Sequence, residues 1–173
     1  RDWQGREAIP PLRGHGGSVG GLAFDGAGAE LGSLSGDGSL RIWDLLGMQA
    51  LPPIPIGDKS EAVLFSPDGS RIAVGTVSDG VRLFDLTTRA EIPVESAFIQ
   101  RCDRLCRIGT SDRFLAGNAL QGKLAIFSWE GGKILRTEVV PGEEILGVAV
   151  HPAGEEAVVL GKEERLFLWR ASL

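Results

Sequence analysis

Short apolar runs broken by glycine, aspartate and proline recur along the whole chain, and no stretch holds the 3.6-residue period of a capped helix. Gly20-Gly21-Leu22-Ala23-Phe24 and Glu61-Ala62-Val63-Leu64-Phe65 read as buried strands. Turns follow at Asp25-Gly26-Ala27-Gly28 and Ser66-Pro67-Asp68-Gly69, with a similar one at His151-Pro152-Ala153-Gly154. Proline presets φ and a glycine two residues on tolerates positive φ, as a β-turn requires. A second strand comes next, clearest at Arg71-Ile72-Ala73-Val74, then a Gly/Asp turn and a third strand bearing an aromatic residue. The fourth strand is short, at Ala50-Leu51-Pro52-Pro53-Ile54 and Glu91-Ile92-Pro93-Val94. Its prolines lack an N–H for the ladder, which places it at a sheet edge. The pattern predicts an all-β protein.

The pattern also repeats. Leu40-Arg41-Ile42-Trp43-Asp44-Leu45, Val81-Arg82-Leu83-Phe84-Asp85-Leu86 and Leu166-Phe167-Leu168-Trp169-Arg170 read alike, and Leu124-Ala125-Ile126-Phe127-Ser128-Trp129 is a weaker copy. The aromatic positions Trp43, Phe84, Phe127 and Trp169 are spaced by 41, 43 and 42 residues. Phe24, Phe65, Ile108 and Val150, each closing an apolar stretch before a turn, take the same steps. Two series with one period mark copies of a single unit. The expected units are 15–56, 57–98, 99–141 and 142–173. Gly5, Ala8, Ile9, Pro10 and Pro11 match Gly47, Ala50, Leu51, Pro52 and Pro53 at a shift of 42. Residues 1–14 are therefore expected to supply the outer strand of a preceding unit, whereas no outer strand follows Leu166–Trp169.

These residues resemble the WD-repeat β-propeller family, in its bacterial type, where each unit of roughly 40 residues forms one four-stranded blade. The first unit carries the fullest signature: Gly14-His15, Ser35-Gly36-Asp37-Gly38 and Trp43-Asp44. The resemblance implies a hydrogen-bonded tetrad of His15, Ser33 or Ser35, Asp37 and Trp43. A buried histidine, serine and indole N–H each need a partner. Later units depart from the signature. The second has Phe84-Asp85, keeps Asp79, and puts Gly57 where His15 stands. The third has Phe127-Ser128 with Gln121-Gly122 in the turn, and the fourth Trp169-Arg170 with Lys162-Glu163-Glu164. These units are expected to rely on apolar burial.

Four units make about half of the seven or eight blades usual in the resembled family. An open half-ring would leave the flat apolar faces of its first and last blades in water, and such faces mark interfaces. The expected partner is a protein: a second copy in a homodimer, or a companion segment that forms the other half. A chain that starts at Arg1 also fits the ordered part of something longer.

Composition narrows the function classes. The 173 residues (18.4 kDa) are 43% hydrophobic and 24% charged, a globular balance, and 25 glycines suit many tight turns. A net charge of −5 argues against a broad nucleic-acid footprint, and no apolar run reaches membrane-helix length. Two cysteines make no disulfide framework, so a reducing, cytoplasmic setting is expected.

Candidate chemistry is sparse. Of the two histidines, His15 is read as a tetrad member and His151 as a solvated turn residue; neither stands in a Ser/His/Asp order. Cys102 and Cys106 are four apart without further ligands, so free thiols are expected rather than a zinc site. Arg101, Arg104 and Arg107 form the densest basic stretch at the entry to an inner strand; they are candidate contacts for an acidic group, with a solvated rim as the plainer reading. Ser35-Gly36-Asp37-Gly38-Ser39 starts like a sialidase-type box, but Ser39 and Ile42 replace its glycine and tryptophan. The pairs at 143–144, 155–156 and 163–164 are adjacent glutamates, which a strand points to opposite faces. No catalytic residue, metal or cofactor is assigned. The expected function is a non-catalytic protein-interaction scaffold that completes a propeller with a second half. The alternative is a C-terminal sensor or regulatory propeller of a larger bacterial signalling ATPase or kinase, which the Pro10-to-His15 segment and the excess of Arg over Lys (14 to 4) resemble.

Overall fold

A computed structural model describes residues 10–57, 59–95, 98–140, 144–154, 156–162 and 165–170. The first sheet holds β1 (Val19–Phe24), β2 (Glu30–Ser35), β3 (Ser39–Asp44), β4 (Gln49–Ala50) and β5 (Ile54–Pro55). The second holds β6 (Ser60–Phe65), β7 (Arg71–Thr76), β8 (Val81–Asp85) and β9 (Glu91–Ile92). The third holds β10 (Arg104–Arg107), β11 (Arg113–Asn118), β12 (Lys123–Ser128) and β13 (Ile134–Val139). The fourth holds β14 (Ile145–Val150), β15 (Glu156–Gly161) and β16 (Leu166–Arg170). All pairings are antiparallel meanders, so the protein is all-β. No helix among the described residues is long and apolar enough to cross a membrane.

The sheets stack in chain order, and a core lies in each gap. Leu34, Leu40 and Ile42 of the first sheet meet Phe65, Val74 and Phe84 of the second. Ala73, Val81 and Leu83 of the second meet Phe114, Phe127 and Trp129 of the third. Leu115, Leu124 and Ile126 of the third meet Val148, Val159 and Trp169 of the fourth. No such cluster joins the fourth sheet to the first among the described residues.

Close stacking of twisted sheets needs small residues at the crossing points. A Cβ on Gly32 would come within 3.0 Å of both Phe65 and Ile72, and one on Gly75 within 2.5 Å of the Cys102 carbonyl oxygen. The backbone uses that proximity: the Cys102 N–H donates to the Thr76 carbonyl at 2.8 Å, tying the third sheet's entry to the second.

The structure corrects two expectations. The segment ending at Phe24 is a strand but not a buried one, because Leu22 and Phe24 point away from the second sheet and no sheet faces them among the described residues. In the third sheet, Arg107 rather than Ile108 stands at the register of Phe24, Phe65 and Val150: Arg107 pairs with Phe114 as Phe24 pairs with Leu31. Ile108 is turned to the other gap, where its Cγ2 packs against Gly154. The extra residue of this unit sits in the Asn118–Lys123 turn. The outer strand expected at the start falls on residues 1–9, outside the described residues, and Pro10–Gly14 belong to no sheet. Glu163 and Glu164 of the expected fourth-unit turn, and Glu143 and Glu155, also lie outside them.

Candidate functional site

The β2–β3 turn and the segment before β1 bring four polar side chains together. His15 Nδ1 lies 3.1 Å from Asp37 Oδ2, and His15 Nε2 lies 2.7 Å from Ser33 Oγ. The Trp43 indole N–H donates to the same Ser33 oxygen at 2.8 Å. Since Ser33 already accepts from Trp43, its own proton is free for Nε2, which leaves the Nδ1–H to donate to Asp37. Asp37 also accepts from the Ser39 hydroxyl at 2.7 Å and the Gly16 N–H at 2.7 Å. These donors, with His15, hold its carboxyl well below the usual aspartate range. Ser35 plays a different part and accepts the Asp37 N–H at 3.2 Å. Asp44, after Trp43, caps its own turn by accepting the Gly47 N–H at 2.8 Å.

Register explains why the other sheets carry no such chain. Ser33 lies opposite Arg41, one step along the face from the Leu31–Trp43 pair. Val74, Ala116 and Val159 hold that place in the second, third and fourth sheets. With no hydroxyl to offer, the second and third sheets use Phe84 and Phe127, which need none. The fourth retains an indole without its acceptor, and Trp169 Nε1 is buried with no hydrogen-bond partner. Asp85 caps its own turn through the Thr88 N–H at 2.7 Å.

The three arginines of the basic stretch are turned inward to neighbouring sheets. Arg101 binds Glu61 at 2.8 Å and reaches Asp103 at 3.4 Å. Arg104 donates to the carbonyls of Asp103 at 2.9 Å and Leu146 at 3.5 Å, and Arg107 to that of Phe65 at 3.4 Å. Cys102 is fully buried, which pushes its thiol pKa up to about 12, and burial raises that of Cys106 as well. No group of three or more His, Cys, Asp or Glu side chains placed to hold a metal ion occurs among the described residues.

Exposed apolar side chains stand on both flanks of the stack. On the first sheet Leu22 and Phe24 are 64% and 60% exposed, and on the last Leu166 and Leu168 are 70% and 56% exposed. Their counterparts inside the stack are buried: Phe65 corresponds to Phe24, and Leu40 and Ile42 to Leu166 and Leu168. Apolar patterning by itself marks these flank residues as core; the count of four units leads to two uncovered flanks without naming the residues on them.

The family model "WD domain, G-beta repeat" matches residues 7–44. Periodic tryptophan protein 2 of Saccharomyces cerevisiae is 29% identical over 118 residues, covering 68% of this chain. THO complex subunit 3 of Arabidopsis thaliana is 25% identical over 163 residues, covering 93% of it. The chain spans 12% of the first relative's length and 51% of the second's. Among solved structures, the computationally designed Ika4 and Ika8 proteins share the fold with a TM-score of 0.77 at 20% identity over 92% of this chain; the match covers 95% of Ika4 and 48% of Ika8. Its four blade-like antiparallel sheets and the match of its first repeat to that family model make the chain similar to WD-repeat proteins.

Proposed function

We propose that this chain is a non-catalytic protein-interaction scaffold that binds a complementary propeller half through the outer faces of its first and last sheets. The exposed, otherwise core-type residues on those two faces carry the reading: Leu22 and Phe24 at one flank, Leu166 and Leu168 at the other. Apolar faces of this kind are interfaces or aggregation hazards. The internal ion pairs of Arg101 turn the basic stretch towards holding blades together rather than towards an acidic ligand. A reducing cytoplasm suits two free thiols whose pKa burial raises. A relative described as a subunit of the THO complex accords with work inside a protein assembly. That the chain spans 12% of periodic tryptophan protein 2 accords with a second reading, a propeller segment within a longer chain.

The test places a photo-crosslinking amino acid at Leu22 or at Leu168 in the protein expressed in its native host. The scaffold reading expects a discrete protein adduct from both positions and none from exposed Leu120, outside the flanks. Absence of adducts at both flanks, with the protein folded, contradicts it.

A further inference from the structure

Resting on the scaffold reading, we infer that the complementary half is a second copy of this chain, so that two copies close into one ring of eight blades. The argument starts from which face each sheet turns to its neighbour. In every gap, the earlier sheet offers one set of positions and the later sheet another. The first sheet gives Leu34, Leu40 and Ile42 to the gap with the second. At the same register on the fourth sheet stand Leu160, Leu166 and Leu168, which face no sheet in the described chain. In that gap the second sheet answers with Val63 and Phe65. At the same register on the first sheet stand Leu22 and Phe24, also unopposed. The two open flanks are thus the two opposite halves of one joint that the chain builds three times within itself. A flank of this kind fits the other flank of another copy, and two such joints related by a twofold axis leave no face open.

The segment before β1 supports the same occupant. Arg82 of the second sheet donates to the Ile56 carbonyl at 2.5 Å, beside the outer strand of the sheet before it. Arg41, at the same register of the first sheet, lies with its guanidinium against Gly14, 42 residues before Ile56. Pro10-Pro11-Leu12 stands to the first sheet as Pro52-Pro53-Ile54 stands to the second, yet it joins no sheet of its own chain. Ile54 pairs with Leu40 in β3. The corresponding neighbour of Leu12 is Leu166 of β16, whose outer edge carries no further strand among the described residues. In the paired ring, the Leu12 segment of each copy lies along β16 of the other. The match to 95% of Ika4 and to 48% of Ika8 places this architecture both in a chain of this length and in one twice as long.

Phe24→Glu and Leu168→Glu test the pairing, because both residues are exposed in the single chain and their substitution leaves its own core intact. Light scattering should give the unsubstituted chain twice its 18.4 kDa mass, and each variant alone should dissociate with affinity weakened about 100-fold or more. An equimolar mixture of the variants should regain two-chain particles, since one of its two joints then unites two unaltered faces. Oxidation of a Leu12→Cys/Leu166→Cys chain should yield a covalent dimer on a non-reducing gel. A folded monomer from the unsubstituted chain, no recovery on mixing, or no covalent dimer overturns the inference. A monomer whose flanks still crosslink to another protein removes self-pairing and leaves the scaffold reading standing; a monomer without such adducts removes both.

Discussion

Ser33 joins the polar chain of the first blade, accepting the Trp43 N–H and facing the His15 ring. Ser33→Ala leaves a buried indole N–H unpaired and should cost about 1–3 kcal/mol in urea unfolding. Ser33→Val with Trp43→Phe copies the Val74–Phe84 arrangement of the second sheet. The pair should cost less than the sum of its single changes, and additive costs would mean that the two side chains do not act together. Acid adds a second check. Asp68 accepts from the Ser66 hydroxyl at 2.6 Å and the Ser70 hydroxyl at 2.7 Å, which lower its pKa to about 2 from an ordinary 3.8. A carboxyl depressed in the folded state contributes stability above its unfolded pKa and loses it as pH falls towards the folded value. The thermal midpoint should therefore drop between about pH 4 and 2, and Asp68→Asn should flatten that limb. The Gly14-His15 and Trp43-Asp44 signature made most of this chain legible before any coordinates. The choice between Ser33 and Ser35 was not, since both lie on one face of β2 and only the cross-strand register puts one of them within reach of Trp43.

At the scale of strands and sheets, period and turn chemistry carried the assignment, and single-residue register did not. Ile108 looks like the partner of Phe24 and Phe65 because it is apolar and precedes a turn. The extra residue of the third sheet lies in the Asn118–Lys123 turn, after β10, so the aromatic spacing of 43 overshoots β10 by one; Arg107 takes the place and sends its guanidinium to the Phe65 carbonyl. Apolar pattern alone cannot separate two adjacent candidates when one is an arginine whose long stem can cover apolar surface. Glycines inside strands were equally silent in sequence, although Gly75 lets the second and third sheets meet at backbone distance. Gly75→Ala forces a methyl group against the Cys102 carbonyl and should destabilise the protein by about 1–3 kcal/mol. Calorimetry checks it, and an unchanged midpoint would place the second and third sheets further apart than described.

For the whole molecule, the repeat count already implied two uncovered flanks, and the structure identifies their residues. Within the stack, the joints bury leucine, isoleucine, valine and phenylalanine side chains that, fully covered, contribute about 1.5–3 kcal/mol apiece. The same kinds of residue at Leu22, Phe24, Leu166 and Leu168 remain in water when the chain stands alone. Covering them would bury apolar side chains of the kind that the internal joints bury. The most direct measurement is the mass of the unsubstituted chain by sedimentation equilibrium at micromolar concentration. The account predicts a discrete species of two chains, twice 18.4 kDa. A stable, folded species of 18.4 kDa across that range would contradict it.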